Sequence, residues 1–378
     1  MTMNDFKSFG SQFQDYLDEV LNLIYDKDSG NETISKYLKY ILLYNTQNGK
    51  KLRGALVILT HSLYSKLNKD DTDYLKRESY LIGWAVEILQ ASFLVLDDIM
   101  DDSHMRRGSP SWYIHQKKKG LGLLSINDGL HLFISATKLI YKVFESIPEH
   151  KDRCEKLIKL FNDVSNFTCI GQGLDGISSL SPSIEKLRDN HEEFFKEMTM
   201  DNNKQIMIYK TAMYTFYLPI AAGLILSGVN DESVYEKTKS LSTQMGIYFQ
   251  AQDDFLDAFG EKALIGKDGN DIQEGKCTWL LCKALTLATE QQKKILSQNY
   301  GKSDDRCAER VKKIYKELNL EGEFKKFEEE IRTEIFKSIK ENCSVPKSES
   351  KSDEEETGDF LPSGIFLLPM EYLFNRSK

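Results

Sequence analysis

Two acidic segments of the same pattern, DDIMD at residues 97–101 and DDFLD at residues 253–257, each close an apolar stretch of the chain. In a helix, the first and fifth carboxylates of such a segment share one face, with Cβ atoms about 5–6 Å apart. Carboxylates held so close to an apolar core repel one another and need strong counter-charges. The pattern therefore predicts two buried helices that end at divalent cations, with a polyanionic substrate bound by both segments.

Helical periodicity runs through most of the sequence. No stretch alternates convincingly with the period of a strand, and only 7 prolines interrupt the 378 residues. Helices that are apolar nearly all round belong at the centre of a bundle. We therefore predict an all-α fold, a single large helical bundle over residues 1–343. The apolar helical patterns cover residues 6–24, 55–64, 80–96, 128–144, 157–169, 209–226, 241–259 and 278–288.

The charge and composition of the chain narrow its classes of partner. The formal net charge is −8, the pI is near 5.5 and no basic stripe is present, which argues against nucleic acid as the main partner. The most apolar stretch, residues 214–229, is too short to span a bilayer, so no transmembrane segment is predicted. The N-terminal residues lack a signal or transit pattern, and the six cysteines lack paired spacing. These features favour a cytoplasmic location.

Residues 344–359 differ from the rest of the chain in composition. Val345 is their only large apolar residue, and an acidic run occupies residues 353–356. Such a segment buries too little apolar surface to fold, so we predict a flexible, solvated insert. Residues 360–378 return to an apolar pattern and are predicted to form a C-terminal helix and tail that belong to the same domain.

Basic residues follow both acidic segments, and two further basic motifs stand elsewhere. Mg²⁺ prefers oxygen ligands and usually bridges a few carboxylates to substrate phosphates, so carboxylates, metal, diphosphate and basic side chains would form one physical unit. Taken singly, each motif fits a plainer interpretation, such as a solvated helix end or a turn, and only their joint occurrence favours this hypothesis. The basic residues are Arg106 and Arg107 after the first segment, Lys267 and Lys276 after the second, GKKLRG at residues 49–54 at a predicted helix start, and Lys210-Thr211, predicted to open an apolar helix.

Together these motifs resemble the trans-isoprenyl diphosphate synthases, most closely the eukaryotic farnesyl diphosphate synthases. The matching strings stand in family order between about residues 45 and 285. The resemblance implies the isoprenoid synthase fold with a central active-site cavity, a homodimer, prenyl diphosphates as small-molecule substrates, and three Mg²⁺ ions per active site. The strings are GKKLRG, ILQASFLVLDDIMD with MRRG and SWY, GQGLD, YKTAMYTFYLPIA, YFQAQDDFLDAFG and GKDGNDIQEGKCTWL.

Carried over motif by motif, the resemblance implies a role for each site residue. The direct metal ligands would be Asp97, Asp101 and Asp253, with Asp257 and Asp271 acting through water. The allylic diphosphate would contact Arg106, Lys210 and Lys267, with Thr211, Gln250 and Lys276 nearby. Isopentenyl diphosphate would contact Lys50, Arg53, Gln90 and Arg107. Lys210, Thr211 and Gln250 would also serve catalysis, beside the developing carbocation.

The reaction that the resemblance implies is a prenyl transfer to isopentenyl diphosphate from dimethylallyl, geranyl or farnesyl diphosphate. Mg²⁺ and the basic side chains would stabilise the leaving diphosphate, so that the allylic bond ionises and isopentenyl diphosphate attacks the cation. Two other functions remain open. One is a class I terpene cyclase, and the other is a catalytically silent subunit that binds prenyl diphosphates.

The sequence departs from the family pattern close to the first acidic segment. Ser92-Phe93 stand where farnesyl-specific eukaryotic enzymes carry two bulky aromatic residues that close the substrate pocket. A serine there opens volume for the growing tail, so we predict looser control of chain length, with geranylgeranyl diphosphate or a mixture as product. Leu52 replaces the usual asparagine, which predicts the loss of one polar contact near the isopentenyl diphosphate. The carboxyl end, NRSK, is less basic than is usual in the family.

Overall fold

The computed structural model describes residues 2–25, 31–68, 73–145, 147–179, 187–260, 269–343 and 360–374. Within these residues the regular structure is helical apart from one pair of two-residue strands, which confirms the all-α prediction. The helices are α1 (Met3–Gln12), α2 (Leu17–Ile24), α3 (Glu32–Thr46), α4 (Leu52–Asn68), α5 (Asp73–Met100), α6 (Trp112–Lys117), α7 (Leu124–Phe144), α8 (Lys151–Ser178), α9 (His191–Phe194), α10 (Met200–Ile206), α11 (Leu218–Leu226), α12 (Glu232–Phe259), α13 (Asp271–Glu274), α14 (Trp279–Leu287), α15 (Glu290–Asn299), α16 (Asp305–Glu317), α17 (Leu320–Asn342) and α18 (Gly364–Phe374). Short 3₁₀ turns span Phe13–Tyr16 and Pro148–His150, and a π-helix spans Met207–Tyr217.

The chain packs as two compact units, and the first of them holds the first acidic segment. This unit comprises Met1–Ser165, Tyr214–Ser242 and Phe336–Lys378. Helix α5 is its central element and packs on α4 and α7, as its apolar composition predicts. Among the described residues, only Lys76–Met100 is long and apolar enough to cross a membrane, and 83% of its most apolar window is buried inside the protein, as in a core helix.

The second unit holds the second acidic segment and has its own apolar core. It comprises Asn166–Met213 and Thr243–Ile335. Aromatic side chains from three helices meet in this core: Phe324 stacks on Phe255 with ring centroids 4.3 Å apart, and Trp279 meets Phe324 edge-on at 5.5 Å. Such pairs add to the free energy gained by burial of the rings. This core fixes the end of α12 that carries the acidic segment.

The predicted apolar patterns beyond residue 50 coincide with helices, but the pattern over residues 6–24 does not form one continuous helix. A 3₁₀ turn at Phe13–Tyr16 separates α1 from α2. The indole Nε1 of Trp84 donates to the Phe13 carbonyl at 3.0 Å, and the Phe13 ring fills the space above Gly54 and Gly83. These tertiary contacts draw the Phe13 carbonyl away from the helical hydrogen-bond pattern.

Two further local expectations differ from the structure. Lys210-Thr211 does not open a helix: the helical run begins ten residues earlier at Met200, where the Thr199 hydroxyl caps it by accepting from the Asn202 amide at 3.1 Å. The strand pair β1 (Met105–Arg106) and β2 (Ser109–Pro110) was also not predicted, because two residues are too few to give an alternating pattern.

The C-terminal apolar segment packs on the first unit, as predicted. Helix α18 buries Ile365, Phe366 and Met370, and the Tyr64 hydroxyl donates to the Phe360 carbonyl at 2.7 Å. The acidic insert at residues 344–359, the tail at 375–378 and Lys267 lie outside the described residues. The predicted domain limits stay a prediction.

Candidate active site

The first acidic segment closes α5, and its three carboxylates have different surroundings. Helix α5 ends at Met100, yet the Asp101 amide still donates to the Asp97 carbonyl at 2.9 Å, so these two residues share a helical face. Both are half-buried, whereas Asp98 is only 2% exposed. The two predicted metal ligands of this segment therefore lie together, and the second acid points into the unit.

Asp98 serves as an anchor for Arg106. The Arg106 Nε donates to Asp98 Oδ1 at 2.9 Å, Nη2 donates to the same oxygen, and Nη2 lies 3.5 Å from Asp97 Oδ2. Burial raises the pKa of the Asp98 carboxyl to about 6, although the Arg106 guanidinium acts in the opposite direction. A charged hydrogen bond of this kind fixes the guanidinium beside the predicted metal ligands.

A tight turn between β1 and β2 separates Arg106 from Arg107 in space. Arg107 and Gly108 have positive φ values of 52° and 76°, as a type I′ hairpin turn requires. Arg106 thus reaches the acidic segment, while Arg107 Nη1 donates to the carbonyl oxygens of Asn45, at 3.3 Å, and Asn48. Two adjacent arginines therefore serve different parts of the unit.

Two of the four residues predicted to bind isopentenyl diphosphate lie close together in the first unit. Arg53 Nη2 donates to Tyr214 Oη at 3.1 Å and to Thr215 Oγ1 at 2.8 Å, and its guanidinium lies 4.6 Å from the Tyr214 ring centroid. Burial lowers the pKa of Arg107, with Glu87 opposing this effect and the nearby charge of Arg53 adding to it. Two neighbouring guanidiniums create a positive field that favours an anion.

The adjacent lysines of GKKLRG differ in exposure. Lys50 is exposed, and its Nζ lies 5.6 Å from the ring centroid of Tyr372 on α18. Lys51 is buried with its Nζ 5.1 Å from the Trp84 ring centroid, and burial lowers its pKa to about 8. Lys51 therefore belongs to the core, and only Lys50 is accessible to a substrate. Gln90, the fourth predicted residue, is buried within α5.

Ser92 and Phe93, the predicted chain-length residues, lie on different sides of α5. Ser92 is 1% exposed, and in the described part of the chain its Oγ has no hydrogen-bond partner. One turn later, Leu96 lies against Gly129 of α7, where a Cβ would stand 2.8 Å from Leu96 Cγ. Phe93 is half-buried and meets the Tyr214 ring edge-on, with centroids 5.6 Å apart. Leu96, one turn after Ser92, therefore packs closely against α7.

In the second acidic segment, as in the first, the first acid is half-buried and the second is buried and hydrogen-bonded within its unit. Asp254 is buried, its Oδ2 accepts from the Trp279 amide at 2.8 Å, and its Oδ1 accepts from Gln250 Nε2 at 2.9 Å. Asp253 beside it is half-buried. In both segments, then, the second acid holds the scaffold together. Neither of these two acids was assigned a role from the sequence.

The fifth acid of the second segment joins the chain that follows it. Asp257 is buried, and its Oδ2 accepts from the Asp271 amide at 3.0 Å. The returning chain passes so close that a Cβ at Gly269 would stand 2.1 Å from the Asp257 carbonyl oxygen. Asp257 and Asp271, both predicted to act through water, are therefore direct neighbours.

The predicted catalytic residues Thr211 and Gln250 form one hydrogen-bonded chain with Asp254. Thr211 Oγ1 donates to Gln250 Oε1 at 2.7 Å, and Gln250 in turn donates to Asp254. Thr211 lies in the π-helix, a rare conformation that concentrates at functional sites. Because the Thr211 proton is committed to Gln250, the lone pairs of its oxygen remain available to a positive charge.

Two predicted diphosphate ligands share a carboxylate to which no role had been assigned. Lys210 Nζ lies 2.6 Å from Asp175 Oδ2, and Lys276 Nζ lies 3.1 Å from the same oxygen. Burial alone would raise the pKa of the Asp175 carboxyl, but the two ammonium groups hold it below its usual value. The GQGLD string, already among the motifs that carry the family resemblance, was the signal that could have drawn attention to Asp175.

The donor atoms of the two acidic segments suit magnesium. Among the described residues, no three His, Cys, Asp or Glu side chains converge to hold a metal ion. Mg²⁺ commonly takes only one or two carboxylates and completes its shell with substrate phosphates and water. Asp97, Asp101 and Asp253 supply hard oxygen atoms of the required kind.

Comparison with known proteins identifies the relatives of this chain. The profile of the polyprenyl synthetase family matches residues 35–318. Farnesyl pyrophosphate synthase of Rattus norvegicus is 39% identical over 90% of this chain and 88% of its own length. The enzyme of the same name from Bos taurus is 35% identical over 98% of both chains.

Solved structures agree with this relationship. A T. brucei farnesyl diphosphate synthase complexed with risedronate is 31% identical, with a TM-score of 0.77, and the match covers 100% of this chain and 99% of that one. The T. brucei enzyme complexed with the bisphosphonate BPH-721 gives a TM-score of 0.80 at 30% identity, over 97% and 98% of the two chains. The predicted isoprenoid synthase fold is therefore confirmed.

Proposed function

This chain belongs to the polyprenyl synthetase family, and we propose that it is a trans-polyprenyl diphosphate synthase that condenses isopentenyl diphosphate with an allylic diphosphate. One observation carries the proposal. In each acidic segment the second acid is hydrogen-bonded within the protein, Asp98 to Arg106 and Asp254 to the Trp279 amide. In each unit, basic side chains predicted to bind diphosphate are held by carboxylates: Arg106 by Asp98, and Lys210 and Lys276 by Asp175. The relatives named farnesyl pyrophosphate synthase support farnesyl diphosphate as a product.

The metal ligands that we propose are Asp97, Asp101 and Asp253, with Asp257 and Asp271 acting through water. When bound there, three Mg²⁺ ions would stabilise the negative charge that develops on the leaving diphosphate. Arg106 is already fixed by Asp98, so it can hold that diphosphate without first being ordered. Lys210, Lys267 and Lys276 would add positive charge from the second unit's residues.

Carbocation stabilisation falls to oxygen dipoles. The Thr211 hydroxyl donates a hydrogen bond to Gln250, so the lone pairs of its oxygen can face a positive centre. The described site residues include no obvious general base for the final proton loss, and by analogy with the family the released diphosphate would take the proton. Lys50, Arg53, Gln90 and Arg107 would hold isopentenyl diphosphate, and the charge of Arg53 is near enough to Arg107 to help lower its pKa.

Incorporation of labelled isopentenyl diphosphate by the purified protein tests this proposal. We expect incorporation with dimethylallyl diphosphate and Mg²⁺, and its abolition by a chelator. A class I terpene cyclase would release diphosphate from a prenyl diphosphate without consuming isopentenyl diphosphate. A silent subunit would bind prenyl diphosphates without turnover, and either result would contradict the proposal.

For product length we propose that Ser92 permits products longer than farnesyl diphosphate. Ser92 occupies the site where farnesyl-specific enzymes carry an aromatic residue, and its side chain is buried. A serine is far smaller than a phenylalanine, so the tail of a growing product would gain room along α5. We expect C20 product, alone or mixed with C15, at saturating isopentenyl diphosphate.

Ser92→Phe should shorten the products of this enzyme. The added ring would occupy the volume that we assign to the tail, so the C20 share should fall at least about tenfold relative to C15, as expected for a steric block of several methylenes. Chromatography of dephosphorylated products measures this ratio. Ser92→Ala is the matched control, because its Oγ has no partner to lose, and it should leave chain length unchanged. An unchanged product length in a folded Ser92→Phe protein would contradict the role of Ser92.

We also propose that the protein forms a homodimer through α7. Ile126, Leu130, Ile134 and Tyr141 follow helical spacing on α7, and each is more than half exposed. The stripe is about 22 Å long, and a soluble monomer rarely exposes such a continuous apolar surface.

We propose a cytoplasmic location for the protein. None of the six cysteines forms a disulfide, as expected in a reducing compartment.

Leu130→Lys should convert the dimer to monomer. A lysine at the centre of the stripe would be buried without a partner in the dimer, at a cost of several kcal/mol. Analytical ultracentrifugation should then give the mass of one chain. Leu287→Lys is the control, since Leu287 is also partly exposed but ends α14 in the second unit. A Leu130→Lys protein that remains dimeric would exclude α7 as the interface.

A further inference from the structure

The motif GQGLD at residues 171–175 places two unlike residues on one face of α8. Gly171 and Asp175 are four positions apart, so they lie one above the other on the helix. Both face the segment that carries Lys210 and Thr211, and all of these residues belong to the second unit. The motif therefore touches the predicted catalytic segment at two levels.

Gly171 allows direct contact between two backbones. A Cβ at Gly171 would stand 2.0 Å from the Lys210 backbone nitrogen and 2.5 Å from its Cα, which no side chain can tolerate. From a second helix, α12, a Cβ at Gly246 would stand 2.1 Å from the Ala212 Cβ. The π-helical segment between Lys210 and Ala212 therefore packs between Gly171 and Gly246. A side chain at Gly171 would push this segment away from α8.

Asp175 fixes the side chains of the same segment. Its Oδ2 holds the ammonium groups of Lys210 and Lys276, at 2.6 Å and 3.1 Å. The lysine side chains are only 24% and 11% exposed, so little water competes for them. Two ammonium groups thus share one buried carboxylate oxygen. A charged hydrogen bond of this kind holds each ammonium group in a defined place.

We propose that Gly171 and Asp175 are positioning residues for the allylic diphosphate. Gly171 sets the position of the Lys210-Thr211 backbone, and Asp175 aims the Lys210 and Lys276 ammonium groups at the diphosphate. This inference rests on the proposed function, because it takes these lysines as ligands of the allylic substrate. Under this proposal Gly171 and Asp175 each have a positioning role, and Gly173 has none.

The two glycines of the motif provide a matched pair of variants. Gly171→Ala forces the Lys210 backbone to move, so we expect kcat to fall at least tenfold and the Michaelis constant for the allylic substrate to rise. A Cβ at Gly173 would meet no atom within 4 Å, so Gly173→Ala should retain wild-type kinetics within twofold. Equal effects of the two substitutions would contradict the role of Gly171.

Asp175→Asn tests the role of the carboxylate separately from folding. We expect the Michaelis constant for dimethylallyl diphosphate to rise at least tenfold, and that for isopentenyl diphosphate to change less than twofold. Asp128→Asn is the control: Asp128 is also fully buried but accepts from Tyr37 and Trp112, so its loss should lower the melting temperature without separating the two Michaelis constants. Equal changes in both constants for Asp175→Asn would mean a merely structural role.

Calorimetric binding of inorganic diphosphate with Mg²⁺ gives a readout that needs no turnover. We expect the dissociation constant to rise at least tenfold in Asp175→Asn and to stay within twofold of wild type in Asp128→Asn. An unchanged constant in Asp175→Asn would overturn the positioning role, even in an active enzyme. A wild-type protein that binds diphosphate but incorporates no isopentenyl diphosphate would instead contradict the proposed function and leave this binding comparison intact.

Discussion

Replacing Asp97 or Asp253 with asparagine should lower kcat by about 10³-fold or more, which is the largest effect that we expect from any single change. An amide is a weak ligand for Mg²⁺, and each loss removes charge stabilisation from the departing diphosphate, where single groups contribute factors of 10² to 10³ or more. Initial rates of isopentenyl diphosphate incorporation at saturating Mg²⁺ measure the effect. The melting temperature should change little, because both residues are only half-buried.

A neighbouring acid supplies the control for these substitutions. Asp102 directly follows the first segment, is exposed, and has a φ of 46°, which asparagine tolerates well. Asp102→Asn should therefore keep at least half of the wild-type rate. If Asp97→Asn retained activity within tenfold of Asp102→Asn, the assignment of Asp97 as a direct metal ligand would be wrong.

Lys210→Met should lower kcat/KM for the allylic substrate by about 10²- to 10³-fold. The substitution keeps a long apolar side chain but removes the ammonium group that Asp175 holds at 2.6 Å. The leaving diphosphate then loses one preorganised cation at the moment its charge develops. The constant for isopentenyl diphosphate should change little, since we assign that substrate to residues of the first unit.

Lys204→Met is a suitable comparison for Lys210→Met. Lys204 lies on α10, in the same helical run, and is exposed. Its substitution should leave both kinetic constants within twofold of wild type. A similar loss in the two variants would show that the effect of Lys210→Met comes from the general charge of the helix, and not from a contact with the substrate.

Local sequence patterns were sufficient to predict the long apolar helices and the acidic segments, but they did not predict α3, α15, α16 or α17. The carboxylates of Asp97 and Asp101 share a face because helical geometry dictates it, whatever the rest of the chain does. Arg106 was also within reach of the sequence, because it follows the segment after a short turn. These features depend on contacts between residues that are close in the chain.

The distinct role of the second acids could not be predicted in this way. Asp98 and Asp97 are adjacent and chemically identical, and only the packing of the unit decides that Asp98 is buried against Arg106. The amide that binds Asp254 comes from Trp279, whose position depends on how the chain returns after α12. Tertiary contacts therefore decide which carboxylates of a segment are structural.

The glycines of GQGLD illustrate the same limit. Gly171 and Gly173 are two residues apart in one helix, yet a Cβ on the first would collide with Lys210 and a Cβ on the second would meet nothing. Sequence periodicity describes which face of a helix is apolar, but not how closely another backbone approaches it. The continuous helix predicted over residues 6–24 failed for a related reason, because Trp84 binds the Phe13 carbonyl.

The stoichiometry of a single reaction tests the central claim most directly. Purified protein would be incubated with labelled isopentenyl diphosphate, dimethylallyl diphosphate and Mg²⁺, and released diphosphate would be counted against isopentenyl diphosphate consumed. We predict one diphosphate released for each isopentenyl diphosphate consumed, with linear prenyl diphosphates of 15 or more carbon atoms as end products. Diphosphate release without consumption of isopentenyl diphosphate, or the absence of any turnover by the intact protein, would contradict the account.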